Sequence, residues 1–201
     1  MELKEYVTII KKNFKIIIIT GVLVGLSSFL FTSVQPLKYE TSMSLFINKK
    51  DSQETDNFKY DGYYALQTSE MLSDTIIEWT KSPEFVNSVY AKAGVDLNFN
   101  SIKKYLKAFN VKKMSSQYIK INFISTNKAE AVKISSAISS EIKEKIKTIE
   151  NESEKEISFS VTSEDPIIIV SKPKILINLI IGIFSGLIIG IFFVFTKRYF
   201  S

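Results

Sequence analysis

Cysteine and histidine are both absent from this 201-residue chain. Without cysteine there is no disulfide framework and no thiolate metal site, and without histidine the usual general base near neutral pH and the commonest zinc ligand are missing. Glycine is scarce outside the apolar stretches. Of the seven glycines, Gly21, Gly25, Gly182, Gly186 and Gly190 lie in uncharged runs, and Gly62 and Gly94 cannot by themselves build a loop that cradles a nucleotide phosphate. Nor is charge of one sign concentrated: residues 34–174 carry 20 basic and 19 acidic side chains. The densest basic cluster, Lys103, Lys104, Lys107, Lys112 and Lys113, reads as a solvated face and not as the footprint of a nucleic acid. Catalysis would have to rest on carboxylates, lysines or serines, and no pair of them stands apart from the background. We therefore expect no catalytic, cofactor-binding or metal-ligating residues, no cofactor, no nucleic-acid partner and no enzymatic activity.

What the chain does contain is two long runs free of charge, residues 16–37 and 175–196, each of 22 residues. At 1.5 Å per residue each makes a helix of about 33 Å, enough for a hydrocarbon core of about 30 Å. The first run is longer than the apolar core of a signal peptide and has no alanine-type cleavage site after it, so it is expected to be an uncleaved anchor. The predicted layout is a cytoplasmic amphipathic segment at 1–15, transmembrane helices at 16–37 and 175–196, an extracytoplasmic domain at 38–174 and a cytoplasmic tail at 197–201. Orientation follows from the short flanks. Lys11, Lys12 and Lys15 precede the first run and Lys197 and Arg198 follow the second, so the positive-inside rule places both termini in the cytoplasm of a two-pass protein of the cell membrane. Leu3, Tyr6, Val7, Ile10 and Phe14 recur at helical spacing among lysines, which suits a short helix lying on the inner surface.

Between the runs, Met43, Leu45 and Ile47 alternate with polar neighbours as a strand over 41–48, and residues 49–60 read as a loop. Ala65, Met71, Leu72, Ile76 and Trp79 mark a helix over 61–80. Ser82-Pro83-Glu84 starts another, burying Phe85, Val86, Val89, Tyr90 and Ala93 and ending at Gly94. A short helix over 101–107 and a strand near Phe109 and Val111 precede a clearer strand over 117–124. Asn127 and Glu130 resemble a capping box in front of a long amphipathic helix stepping through Ile134, Ile138, Ile142 and Ile146. Ile157, Phe159 and Val161 form a last strand before a proline-bounded segment from Pro166 to Pro173. This order predicts an α+β domain, a small sheet with helices on one face. Within the second run, Gly182, Gly186 and Gly190 recur every fourth residue, and Gly21 and Gly25 with Ser28 beyond are a shorter version in the first. Such stripes predict close helix packing, either between the two runs or with another chain.

Several of these features occur in a fixed order that resembles the Wzz-type chain-length determinants, or polysaccharide co-polymerases. They are Glu2-Leu3-Lys4-Glu5-Tyr6 through Lys11-Lys12-Asn13-Phe14-Lys15, then Pro36-Leu37-Lys38-Tyr39, then Tyr118-Ile119-Lys120-Ile121 followed by Ser125-Thr126-Asn127-Lys128-Ala129-Glu130-Ala131, and finally Pro166, Pro173-Lys174 and the glycines from Gly182 to Gly190. The short outer domain is closest to the compact Gram-positive-like form without a kinase domain. The resemblance implies a non-enzymatic protein that regulates the chain length or export of a surface polysaccharide, as a homo-oligomer acting with a polymerase. A separate tyrosine kinase is a further partner that it leaves open. The alternatives are an extracytoplasmic sensory or adaptor module working with a cytoplasmic partner such as a tyrosine kinase, or an accessory of a secretion or pilus machine.

Overall fold

The computed structural model describes residues 3–50, 58–97, 99–152 and 158–200. It divides into two compact units, residues 38–171 and a unit made of residues 1–37 with 172–201.

In the helical unit, α1 (Leu3–Lys12) and α2 (Phe14–Ser33) are separate helices that meet at Asn13, whose backbone leaves the helical region at φ −110°, ψ 19°. The break is held locally: the Asn13 amide and side chain both donate to the Ile9 carbonyl, and Ile16 and Ile17 donate back to the Asn13 carbonyl. α2 begins two residues before the uncharged run and stops four residues before its end. The stop has a cause in Pro36, which cannot donate to a helical carbonyl and disfavours helical backbone in the residue before it. The last helix, α7 (Ile175–Tyr199), starts just after Pro173, whose carbonyl accepts from the Ile175 amide.

The central unit is a five-stranded antiparallel sheet with helices against one face. β1 (Lys38–Lys49) is its spine. Thr41, Met43, Leu45 and Ile47 are buried on one side, while the residues between them are half-buried or exposed. β3 (Tyr118–Ser125) pairs along β1 from Tyr39↔Ser125 to Phe46↔Tyr118 and sends Ile119, Ile121 and Phe123 to the same side. β2 (Asn110–Ser115) lies outside β3.

Three longer helices and one single-turn helix lie on the side of the buried face. α3 (Phe58–Thr80) begins inside the stretch expected to be a loop, of which residues 51–57 lie outside the described residues. Its inward face also differs from the apolar count. Ser69, Ser73 and Thr80 are buried beside Leu72 and Ile76, and Met71 points outward. The hydroxyls need no distant partner, because each donates to a carbonyl one turn back, and Ser73 lies close to the Ser116 carbonyl as well. α4 (Pro83–Ala93) has the boundaries its sequence specifies. The Ser82 hydroxyl accepts from the Phe85 amide at 3.2 Å, Pro83 occupies the first turn, and Gly94 closes the helix at φ 63°, where a side chain would be strained. α5 (Ile102–Tyr105) is a single turn. α6 (Lys128–Glu152) is capped by Asn127, whose side-chain oxygen accepts from the Glu130 amide at 2.8 Å; the Glu130 carboxylate takes the Thr126 hydroxyl instead of returning to the cap amide. The core runs from Phe85, Val86 and Val89 through Ile134, Ile138 and Ile142 to the sheet.

The far edge of the sheet departs from expectation. β4 (Phe159–Ser163) was foreseen in part, Ile157 lying outside the described residues. The proline-bounded segment, however, is a fifth strand, β5 (Ile167–Ser171), also paired with β1. Leu45 opposes Ser163 and Ser42 opposes Ile167, so Met43 and Ser44 face three residues, Glu164, Asp165 and Pro166. That one-residue excess is a β-bulge. It accommodates Pro166, which has no amide to give the ladder, on an outer strand.

Candidate functional site

The five glycines of the apolar runs all lie where α2 and α7 touch. A β-carbon added at Gly186 would sit 2.8 Å from the Gly21 Cα and 2.8 Å from the Thr20 carbonyl oxygen. At Gly182 it would meet the Ser28 Cβ at 2.6 Å, at Gly25 an Ile183 carbon at 2.6 Å, and at Gly21 a Leu187 carbon at 2.9 Å. At Gly190 the crowding atoms belong to Thr20 and Ile17. Backbones this close require hydrogen in place of a side chain. The stripe on α7 is thus engaged by the chain's own α2, so a second copy would have to meet another face of the pair.

Three polar residues complete this seam, and sequence reasoning missed two of them. Ser28 donates to the Asn178 carbonyl at 2.8 Å, and the Asn178 side chain donates to Thr32 at 3.1 Å. Ser28 had been noted beside the glycine pair. Asn178 and Thr32 carry a signal in hindsight, since an amide side chain within an apolar span needs a partner. Away from the seam the helices present Leu23, Leu30, Phe31, Phe184, Ile188 and Phe192 outward, all exposed. At the other end of the pair, Lys12, Lys197 and Arg198 line one small cavity of about 310 Å³ with Asn13 and Val194, while Lys11 and Lys15 are exposed outside it.

In the central unit the basic cluster divides. Lys113 is held by Glu70 at 2.8 Å and Asp74 at 2.9 Å on α3, and the two hydrogen bonds raise its pKa. Lys103, Lys104 and Lys107 instead border a groove of about 1000 Å³ together with Lys38. Aromatic rings set the position of the turn that carries them. Tyr105 meets Phe99 edge-on at 5.2 Å, Phe99 meets Tyr90 at 5.8 Å, and Tyr90 stacks on Phe109 at 6.2 Å. Burial, helped by the Glu130 charge, pushes the Tyr90 phenol above its ordinary value, so it is a neutral hydroxyl at physiological pH. Of the two prolines singled out, Pro166 sits in the bulge and Pro173 directly precedes α7.

Residues 1–93 match the family model of the chain length determinant protein, Wzz. The match bears out the Wzz-type assignment read from the residues. It covers α1, α2, β1, α3 and α4, and the family is one of chain-length regulators that are not enzymes. With the two apolar helices, each long enough to cross a bilayer, the match makes this chain a membrane protein. No curated protein matches the sequence.

Proposed function

We propose that this chain regulates the length, or assists the export, of a surface polysaccharide, as a homo-oligomer beside the polymerase and without catalysis of its own. The observation that carries the reading is the family match over residues 1–93. Two further features support it. The domain offers no histidine or cysteine for chemistry, and the basic flanks Lys11, Lys12, Lys15, Lys197 and Arg198 favour a two-pass topology with both termini cytoplasmic. A regulator tied to the bilayer at both ends can act on a neighbouring polymerase by holding it or the growing chain, which needs surfaces and not an active site.

Deletion of the gene followed by gel profiling of surface glycan length tests the role. A shifted or broadened length distribution, restored by the intact chain, is expected; an unchanged profile overturns the proposal. Topology is tested separately in the otherwise cysteine-free chain. Glu164→Cys should react with a membrane-impermeant maleimide in intact cells, and Lys12→Cys only after permeabilisation.

A further inference from the structure

The groove bordered by α5 has unpaired charge beside exposed aliphatic surface. Lys38, Lys103, Lys104 and Lys107 line it against one carboxylate, Glu40, and none of the four lysines takes part in an ion pair among the described residues. This sets them apart from Lys92 and Lys113, each of which holds two carboxylates. Next to them the open face of the sheet carries Ile124, Ile167 and Ile169, exposed at 56%, 65% and 63%. The strand registers bring these together: Glu40 opposes Ile124 on one side and Ile169 on the other, and Ser42 opposes Ile167. Thr41, whose buried hydroxyl has no hydrogen-bond partner, also lines the groove.

We propose that this groove binds the headgroup of an anionic phospholipid, its phosphate among Lys103, Lys104 and Lys107 and its first acyl segments along Ile124, Ile167 and Ile169. Four observations select this occupant. The charge is complementary to a phosphate, for which lysine serves as a point cation. The exposed wall is branched aliphatic, which suits hydrocarbon. A sugar would need a free ring to stack on, yet of the rings lining the groove Tyr90 and Phe123 are buried, and the half-buried Phe99 is already packed edge-on with Tyr90 and Tyr105. Finally, the strands that form the groove are joined to α2 and α7 by residues 34–37 and 172–174 alone, linkers whose full reach is about 17 Å or less. The site does not depend on any role in polysaccharide length.

The test uses the full chain in nanodiscs. Because the chain has no cysteine, Asn122→Cys gives one labelling position beside the isoleucines, for a fluorophore quenched by brominated lipid. Brominated phosphatidylglycerol should quench strongly and brominated phosphatidylcholine weakly. The triple variant Lys103→Gln, Lys104→Gln, Lys107→Gln should bring the first down to the second with circular dichroism unchanged, its affinity for short-chain phosphatidylglycerol falling about tenfold or more. Equal quenching by the two lipids, or quenching untouched by the triple variant, overturns the proposal. Two competitors at constant ionic strength distinguish other sources of negative charge. Loss of quenching with inorganic phosphate would make this a free-anion site, and loss with polygalacturonate an acidic-glycan site; either result overturns the lipid assignment.

Discussion

The two units of this chain are held together by opposite means. The central domain is built from side chains: Phe85, Leu45, Ile76, Ile121 and Ile138 are completely buried, and water supplies the driving force by excluding them. The α2–α7 pair is built from missing side chains. In lipid there is no hydrophobic gain in bringing apolar helices together, so contact rests on close backbone approach at Gly21, Gly25, Gly182, Gly186 and Gly190 and on a few hydrogen bonds. The same change, adding or removing carbon, therefore has opposite consequences in the two places.

Removing carbon from the core should have the largest effect. Phe85→Ala empties a site where the ring meets Phe109 edge-on at 6.2 Å, and should cost about 3–5 kcal/mol, read as a lowered midpoint for unfolding of the full chain in detergent. Adding carbon at the seam comes next. Gly186→Leu should cost about 1–3 kcal/mol and separate the helices, seen as a longer or broader distance between spin labels at Val22→Cys and Phe184→Cys. If Gly186→Leu leaves that distance unchanged, the comparison between the units fails.

A third effect belongs to the domain alone. Glu141, on α6, accepts from Ser88 at 2.7 Å and Lys92 at 2.6 Å on α4. Burial pushes its pKa up, but these two hydrogen bonds, with the charges of Lys92 and Lys145, outweigh burial and leave it below the ordinary 4.5. A depressed carboxylate contributes stability above its unfolded pKa and loses it as pH falls through the folded value. Thermal midpoints followed from neutral pH into acid should thus drop below pH 4.5, and Glu141→Gln should flatten that limb. Lys92→Met, which leaves Glu141 without its hydrogen-bonded cation, should cost about 1–2 kcal/mol at neutral pH, discounted for the partial exposure of Lys92.

The smallest changes sharpen the contrast. Ser28→Ala removes one seam hydrogen bond and should weaken the pair by about 0.6 kcal/mol in the same spin-label measurement. Gly62→Ala, a helix position with nothing within 4 Å of the added carbon, should stabilise the domain by about 0.5–1 kcal/mol, read as a higher unfolding midpoint. A loss of stability at Gly62 comparable to that at Gly186 would show that glycine is not used differently in the two units.

Most of the architecture was legible because it rests on local rules. Ser82, Pro83 and Gly94 bound α4 through capping chemistry, and the alternation of Met43, Leu45 and Ile47 needed only a strand with one buried side. β5 was not legible as a strand. Ile167, Ile168, Ile169 and Val170 do not alternate, and two prolines frame them, so only their β-branched run spoke for a strand; pairing with β1 is a long-range fact. The glycine stripe announced close packing but not its partner, because spacing on one helix says nothing about which backbone fills the space. The division of the lysine cluster was equally hidden. Lys113 and Lys107 look alike in sequence, and only the fold brings Glu70 and Asp74 to the first.

The bulge at Glu164, Asp165 and Pro166 and the pairing of Lys38 with Ser171 have a mechanical consequence. The strand that enters the domain and the strand that leaves it lie side by side and antiparallel, so a pull that separates α2 from α7 loads β1 and β5 from their common end. Such a load opens the ladder like a zip, one rung after another, where a pull along the strands would strain all rungs at once. The interruption of the ladder at the bulge marks where the opening halts. Beyond it β1 is still gripped on both sides, by β3 and β4, and a stretch of five rungs is left to yield under tension while the core beneath stays closed.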